Sequence, residues 1–432
     1  MSYSQIIRES RKKLGITQTD LTSPGISRVY ITDIESGKAT FQASIPNKVN
    51  RAFQIYKKLL EFSLIKNTPL DLNFDALFPE NHPYFKIKSC YLYLLELKSV
   101  KVFNENLLSK SQTFIDYELE NIKFYLIAQL AISYRHHDID LSRKYFRIAL
   151  ISQKYNINKH NIEFYINIIN HFIYIANDEI NASVIVEALD YVITFSEKNA
   201  LKINTHIYYH MALYNKIAFN FEESIKYLKI VEDTASLSQY DYIKCEIIKA
   251  GSYNSLNKNE EALDIFLQLI SMDNDYNDLK MLYYGNCINF IVKNKLDQTE
   301  IVNQCIESLS YIVGNYEQKI EANTYSNLGQ GYAYNNQYDQ AYICFEKAFE
   351  VLREDKNATL YNLLMVITES FVTYMNIDKL DELIGYLKTV TTTTFTDKEN
   401  ILYMKVLLTL THYDKNEKIN DLLDPFIIKP NL

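Results

Sequence analysis

No proline occurs between Pro83 and Pro425. An interior proline removes a helical hydrogen bond and clashes with the preceding turn, at about 3 kcal/mol, so this stretch is open to uninterrupted helix building. Glycine is also scarce, 9 in 432 residues. An all-β chain would need many more positive-φ and turn positions. Within the stretch, apolar and aromatic residues recur at three- and four-residue spacing, broken by short polar turns such as NKNEE, NNQYD and NIDKLD. The pattern predicts antiparallel helix pairs and an all-α fold.

The clearest internal unit is TYSNLGQGYAYNNQYDQAYICFEKAFEVL. It resembles a tetratricopeptide repeat, with Tyr325 in place of the early Trp, then Leu328, Gly329, Tyr332, Ala341, Phe345 and Ala348, and without the terminal Pro. Gly329 and Ala341 are expected to let the two helices approach, with Tyr332 and Phe345 filling the space beside them. Weaker copies carry Met211, Ala212, Phe221, Ser224 and Leu228, and then Ala250, Tyr253, Ala262, Phe266 and Leu269. Ser224 to Ala262 is 38 residues and Ala262 to Ala341 is 79, which leaves room for one degenerate unit near residues 283–313. Further pairs are drawn at 120–155, 160–198, 360–390 and 400–427, about eight in all, and the resemblance implies a right-handed superhelix.

Charge is distributed unevenly. The chain carries −8 in total, yet residues 1–66 hold 11 Lys and Arg against 5 Asp and Glu. Only this head has the electrostatics of a phosphate-backbone binder; the acidic remainder should repel nucleic acid. Pro69, Pro79 and Pro83 mark a break in periodicity, giving an expected organisation of 1–66 head, 67–84 linker and 85–432 repeat domain. The N-terminus MSYSQIIRESRKK lacks a signal-type apolar stretch, and no segment offers about 18 consecutive apolar residues, so a cytoplasmic protein without a membrane partner is expected. Cys90, Cys245, Cys287, Cys305 and Cys344 form no Cys-x-x-Cys pair and are expected to be reduced structural thiols.

Five short helices are expected in the head, around the run IIRESRKKLGITQTDLTSPGISRVYITDIESGKA. The run resembles a helix-turn-helix of the Cro/repressor type. The resemblance implies that Thr17 and Gln18 open the second helix, Leu21 packs inside, Ser27 opens the recognition helix, and Ile31 and Ile34 anchor it ahead of Glu35, Gly37 and Lys38. The interval from Gln18 to Ser27 is one residue shorter than in most repressors, a feature shared with regulators of the PlcR and Rgg kind. A helix starting at Ser27 with Ile31 and Ile34 inside leaves Arg28, Val29 and Thr32 on the face that enters a major groove. Arg28 suits a guanine edge, and Val29 or the Thr32 methyl suits a thymine; Gln18 and Lys38 are placed to hold phosphates. Arg11 is expected to pair with Glu35 as part of the scaffold.

A repressor-like head on a repeat body resembles, over essentially the whole chain, the peptide-sensing quorum regulators of the RRNPP group. That resemblance implies a DNA-binding transcription regulator, a homodimer on double-stranded DNA, whose repeats hold a short signalling peptide that changes DNA affinity. Carrying the inward repeat positions onto this sequence gives Tyr209, Leu213 and Lys216, then Asn254, Asn289, Asn323, Gln330 and Tyr334 as peptide-binding candidates. Amide side chains can clamp an extended backbone without reading its sequence. The other reading of these residues is ordinary solvated amides. The rival functions are a scaffold that sequesters a response regulator or another protein, and a phage-type peptide-responsive regulator. His206 and His210, one turn apart, lack an HExxH or carboxylate partner, and His136-His137 reads as a surface turn, so no metal is expected. The 36 tyrosines fall at packing spacing. No phosphate loop, nucleophile elbow or paired carboxylate points to catalysis or a cofactor.

Overall fold

The computed structural model describes residues 2–99, 108–111, 114, 121–153, 157–176, 179–234, 237–315, 320–354, 360–388, 403 and 406. Among these the regular structure is helical, with one isolated bridge between Ser23 and Ile26 and no helix long and apolar enough to cross a membrane. The chain divides into two compact units, Met1–Tyr227 and Leu228–Leu432.

The first unit begins with α1 (Tyr3–Lys13), a 3-10 turn at Thr19–Leu21, α2 (Arg28–Glu35) and α3 (Pro46–Ile65). Three α-helices and one 3-10 turn therefore replace the five short helices expected of residues 1–66. The element expected to open at Thr17 and Gln18 is the one that shrinks. Thr17 and Asp20 close on each other, Thr17 N and Oγ1 donating to Asp20 Oδ2 at 2.7 and 2.9 Å, and Thr22 Oγ1 then bonds Thr19 O at 2.7 Å. Gly25 at φ +81° and paired backbone bonds between Ser23 and Ile26 reverse the chain before a second helical turn forms.

The proline-marked segment 67–84 is extended and turned, as a connection should be, yet it is buried: Leu70, Leu72, Phe74, Leu77, Phe78 and Tyr84 all lie in the core. Tyr84 donates to Asp75 at 2.6 Å and accepts from Phe74 N at 3.0 Å, which holds the segment in place. One apolar core runs from Ile7 through this segment to Tyr214. It is built on α4 (Pro83–Ser99), α5 (Asn121–Tyr134), α6 (Ile139–Gln153), α7 (Ile162–Ile173), α8 (Glu179–Lys198) and α9 (Thr205–Ile217).

Next along the chain is α10 (Phe221–Thr234), followed in the second unit by α11 (Gln239–Ser255), α12 (Asn259–Ser271), α13 (Asn277–Lys293), α14 (Thr299–Asn315), α15 (Ala322–Tyr334), α16 (Tyr338–Glu354), α17 (Leu360–Asn376) and α18 (Leu380–Lys388). The degenerate unit expected near 283–313 is the pair α13 and α14. The pair drawn at 400–427 lies outside the described residues.

The turn inside each pair fixes the repeat register. Phe219, Asn257, Lys295, Asn336 and Asp378 all have positive φ, between 52° and 62°, at intervals of 38, 38, 41 and 42 residues. At every one, the amide of the next residue reaches back to the last helical turn, as in Gln337 N to Tyr332 O at 2.9 Å and Leu296 N to Ile291 O at 3.0 Å. These are Schellman-type stops. Behind them the expected interlock of small and large holds: a Cβ on Gly329 would lie 3.0 Å from the Phe345 ring, and Ala341 and Phe345 are fully buried. Gly331, not singled out from the sequence, is tighter still, with Ile306 Cγ1 at 2.9 Å from such a Cβ.

Candidate functional site

The head presents α2 with one buried and one exposed face. Ser27 caps α2, its hydroxyl accepting from Tyr30 N at 3.2 Å, while Ile31 and Ile34 are buried at 0% and 1% exposure. That anchoring turns Arg28, Val29 and Thr32 to solvent; Val29, an apolar side chain, is 69% exposed. Lys38 is exposed just past Gly37, whose φ of +77° ends the helix.

The scaffold pairing of Arg11 with Glu35 is present in fork geometry, Nε to Oε1 at 2.6 Å and Nη2 to Oε2 at 3.0 Å, and Arg11 Nη1 also donates to Ile16 O at 2.9 Å. Burial alone would lift the Glu35 carboxyl; hydrogen bonds from Arg11 and Gln18 and the charges of Arg11 and Arg8 hold it below the ordinary carboxylate value. Gln18 takes a different place from the phosphate contact expected of it. Its Nε2 donates to Glu35 Oε2 at 2.9 Å and its Oε1 accepts from Thr32 Oγ1 at 3.0 Å, so both ends of the amide are engaged within the head. The Thr32 hydroxyl is turned inward by the same contact, leaving its methyl for an outside partner. His160, from the loop before α7, reaches back to Asp20 at 3.1 Å and packs edge-on against Phe62.

No protein-family model and no curated protein matches the chain. Among solved structures it is similar to the apo form of the quorum sensor NprR from B. thuringiensis, at 14% identity over 79% of this chain and 97% of that one, with a TM-score of 0.49. NprR in complex with its cognate peptide NprX gives 15% identity, 77% and 99% coverage and a TM-score of 0.42. A tetratricopeptide repeat protein from Parabacteroides merdae gives 12%, 67%, 98% and 0.43. At this level of likeness the helical fold rests on the chain's own pairs and turns described above.

The repeat candidates separate into groups. In the first unit, Tyr209 and Leu213 are partly buried on α9, Leu213 against the core. Lys216 is partly buried on the same helix, and burial lowers its pKa. In the second unit, Asn254 accepts from Asn294 Nδ2 at 3.0 Å, linking α11 to the end of α13. Asn323 is exposed at the start of α15. Tyr334 is a staple: its hydroxyl donates to Leu296 O at 2.7 Å and accepts from Gln298 N at 3.1 Å, tying down the turn between α13 and α14.

Asn289 and Gln330 are brought together. Both sit six residues before their caps at Lys295 and Asn336, and Asn289 Nδ2 reaches Gln330 Oε1 at 3.4 Å. The cluster extends to three residues that sequence reasoning missed. Gln330 Nε2 donates to Asn327 Oδ1 at 3.3 Å, Asn289 Nδ2 also lies 3.3 Å from Glu369 Oε1, and Ser326 Oγ donates to Glu369 Oε2 at 2.6 Å. Three first helices of successive pairs, α13, α15 and α17, thus meet through polar side chains. Gly285 makes room for it, since a Cβ there would sit 2.7 Å from Asn327 Nδ2. Counting back from the caps would have found Glu369, which occupies the position of Asn327, nine residues before Asp378 as Asn327 is before Asn336.

Elsewhere in the second unit, a cavity of about 810 Å³ opens between α11 and α12, lined by Glu232, Tyr242, Glu246, Lys249, Glu261 and Asp264 among others. Lys249 bridges Glu232 and Glu246 at 2.7 and 2.9 Å. All five cysteines are buried, and burial pushes the thiols of Cys90 and Cys245 up to about 12.

Proposed function

We propose that this chain is a DNA-binding transcription regulator whose repeat domain binds a short signalling peptide that changes the DNA affinity of a homodimer in the cytoplasm. The observation that carries the DNA half is the exposed row Arg28, Val29 and Thr32 on a helix whose opposite face is fully buried, in the one strongly basic part of the chain. A solvent-facing valine between a guanidinium and a threonine methyl has no partner inside the head, and it suits a base edge in a major groove. The network of Arg11, Glu35, Gln18 and Thr32 holds that helix at a set angle before DNA arrives. Lys38 remains the phosphate contact; Gln18 acts one step back, by orienting Thr32.

The peptide half is supported by the amides of Asn289, Gln330 and Asn327 converging from successive repeats, since such groups pair with an extended backbone in either direction. The deciding experiment is selection of duplexes from a random pool by the full chain, followed by anisotropy titration of the selected site. Wild type should bind it well above random duplex, and Arg28→Ala should lose about 1–3 kcal/mol of that discrimination. A chain that selects nothing over random duplex, or an Arg28→Ala variant with the discrimination intact, would sink the DNA reading.

A further inference from the structure

The cluster on α13, α15 and α17 contains one formal charge and nothing that neutralises it. Glu369 is held by Ser326 Oγ at 2.6 Å and Asn289 Nδ2 at 3.3 Å, both neutral donors, and among the described residues it makes no ion pair. Lys293, the cation whose charge reaches it, is exposed and makes no contact with it. Elsewhere in the second unit Glu232 and Glu246 share the cation of Lys249, whereas Glu346, like Glu369, is held by neutral donors, the hydroxyls of Tyr374 and Tyr386. Glu369 retains unused lone pairs for a further donor, and as a residue it is partly rather than fully buried.

The surrounding amide bonds are long, 3.3 to 3.4 Å, where a well-made N–H···O bond is about 2.9 Å. Such contacts are readily exchanged for a stronger donor. Taking a carboxylate partly out of water without a cation costs free energy that a cationic ligand returns on binding.

We infer that Glu369, braced by Ser326 and Asn289 and flanked by Gln330, is the subsite for a cationic group of the ligand, an ammonium or guanidinium, on the inner helices of the second unit. This rests on the peptide-binding reading above and narrows it: the ligand carries a positive charge that Glu369 receives, while the amides take its backbone. Two sources supply that chemistry, a Lys or Arg side chain or the peptide's own amino terminus.

The test uses the full chain, immobilised, and pools of short synthetic peptides of random sequence. One pair of pools differs at a single position, Lys or Arg against norleucine, with acetylated termini; a second pair differs only in acetylation. Retained peptides are counted by mass spectrometry for wild type and for Glu369→Gln, which keeps the side-chain shape and removes the charge, with Ser326 Oγ able to turn from donor to acceptor. Wild type should prefer the cationic member of at least one pair by about tenfold, the worth of a charge-assisted bond, and the variant should retain peptides without that preference. The pair that shows it identifies the source. Retention with no cationic preference, or a preference that survives in Glu369→Gln, overturns the subsite and leaves peptide binding standing. If wild type retains no peptide from any pool, the peptide reading fails and the subsite falls with it.

Discussion

Arg11 and Glu35 stand 24 residues apart in sequence and lock α2 to α1. Arg11→Met should leave a nearly buried carboxylate with Gln18 as its main remaining donor and lower the protection of head amides by about 2 kcal/mol in hydrogen exchange; unchanged protection over residues 3–35 would refute this. The pH dependence follows from the sign of the shift. Glu35 titrates lower folded than unfolded, so its stabilisation is complete above the ordinary carboxylate value and disappears as pH falls through the depressed folded one. Glu369 runs the other way, since burial raises it and its charged form weighs against the fold. Glu369→Gln should therefore melt higher than wild type at neutral pH, with the gap closing as pH falls through the raised folded value and gone below the unfolded carboxylate value; equal melting at neutral pH would contradict the uncompensated charge. Arg11 and Glu35 were legible because both belong to a recognisable run. Glu369 was not, because a lone acid in LYNLLMVITESFVTYMN carries no signature of its own until the cap at Asp378 sets the register.

At the scale of the element, helix pairs were legible almost throughout, because three- and four-residue spacing survives even where the repeat signature fades. Three of their stops were also legible, as the polar turns NKNEE, NNQYD and NIDKLD that hold Asn257, Asn336 and Asp378; Phe219 and Lys295 were not, because they occupy left-handed positions where glycine is the usual signal. The second helix of the head was misjudged for a related reason: local side-chain bonding between Thr17 and Asp20 competes with helix propagation, which a family pattern does not weigh. Tyr334 was expected at an inward repeat position as a peptide contact, yet a tyrosine at the last turn reaches the neighbouring loop and bonds there. Glycines separate by environment too. Gly331→Ala drives a methyl into Ile306 and should cost about 1–3 kcal/mol, less about 1 kcal/mol regained in helix propensity. Gly314→Ala, with nothing within 4 Å of its added Cβ, should raise the melting temperature. A Gly331→Ala protein as stable as Gly314→Ala would show that α14 and α15 pack less tightly than described.

For the whole molecule, opposed charges divide labour. Under the proposed function the basic head would meet phosphate and the acidic remainder be kept off it, so DNA affinity should fall steeply with salt, and Lys38→Ala should reduce the slope of log K against log salt by about one. Glu369→Gln, in peptide-free protein, should leave that slope unchanged; a shallower slope there would mean that the second unit touches DNA. The core that continues from Ile7 through the buried segment 67–84 to Tyr214 has a mechanical meaning. A head on a slack tether would keep searching whatever its repeats were doing, and a ligand could act only by blocking it. A head welded to its first repeats is the short arm of a lever. In the dimer proposed above, which would meet two half-sites about 34 Å apart, a slight tilt of that arm would carry α2 off its groove, so a signal would need no unfolding and no new contact with DNA to be felt there.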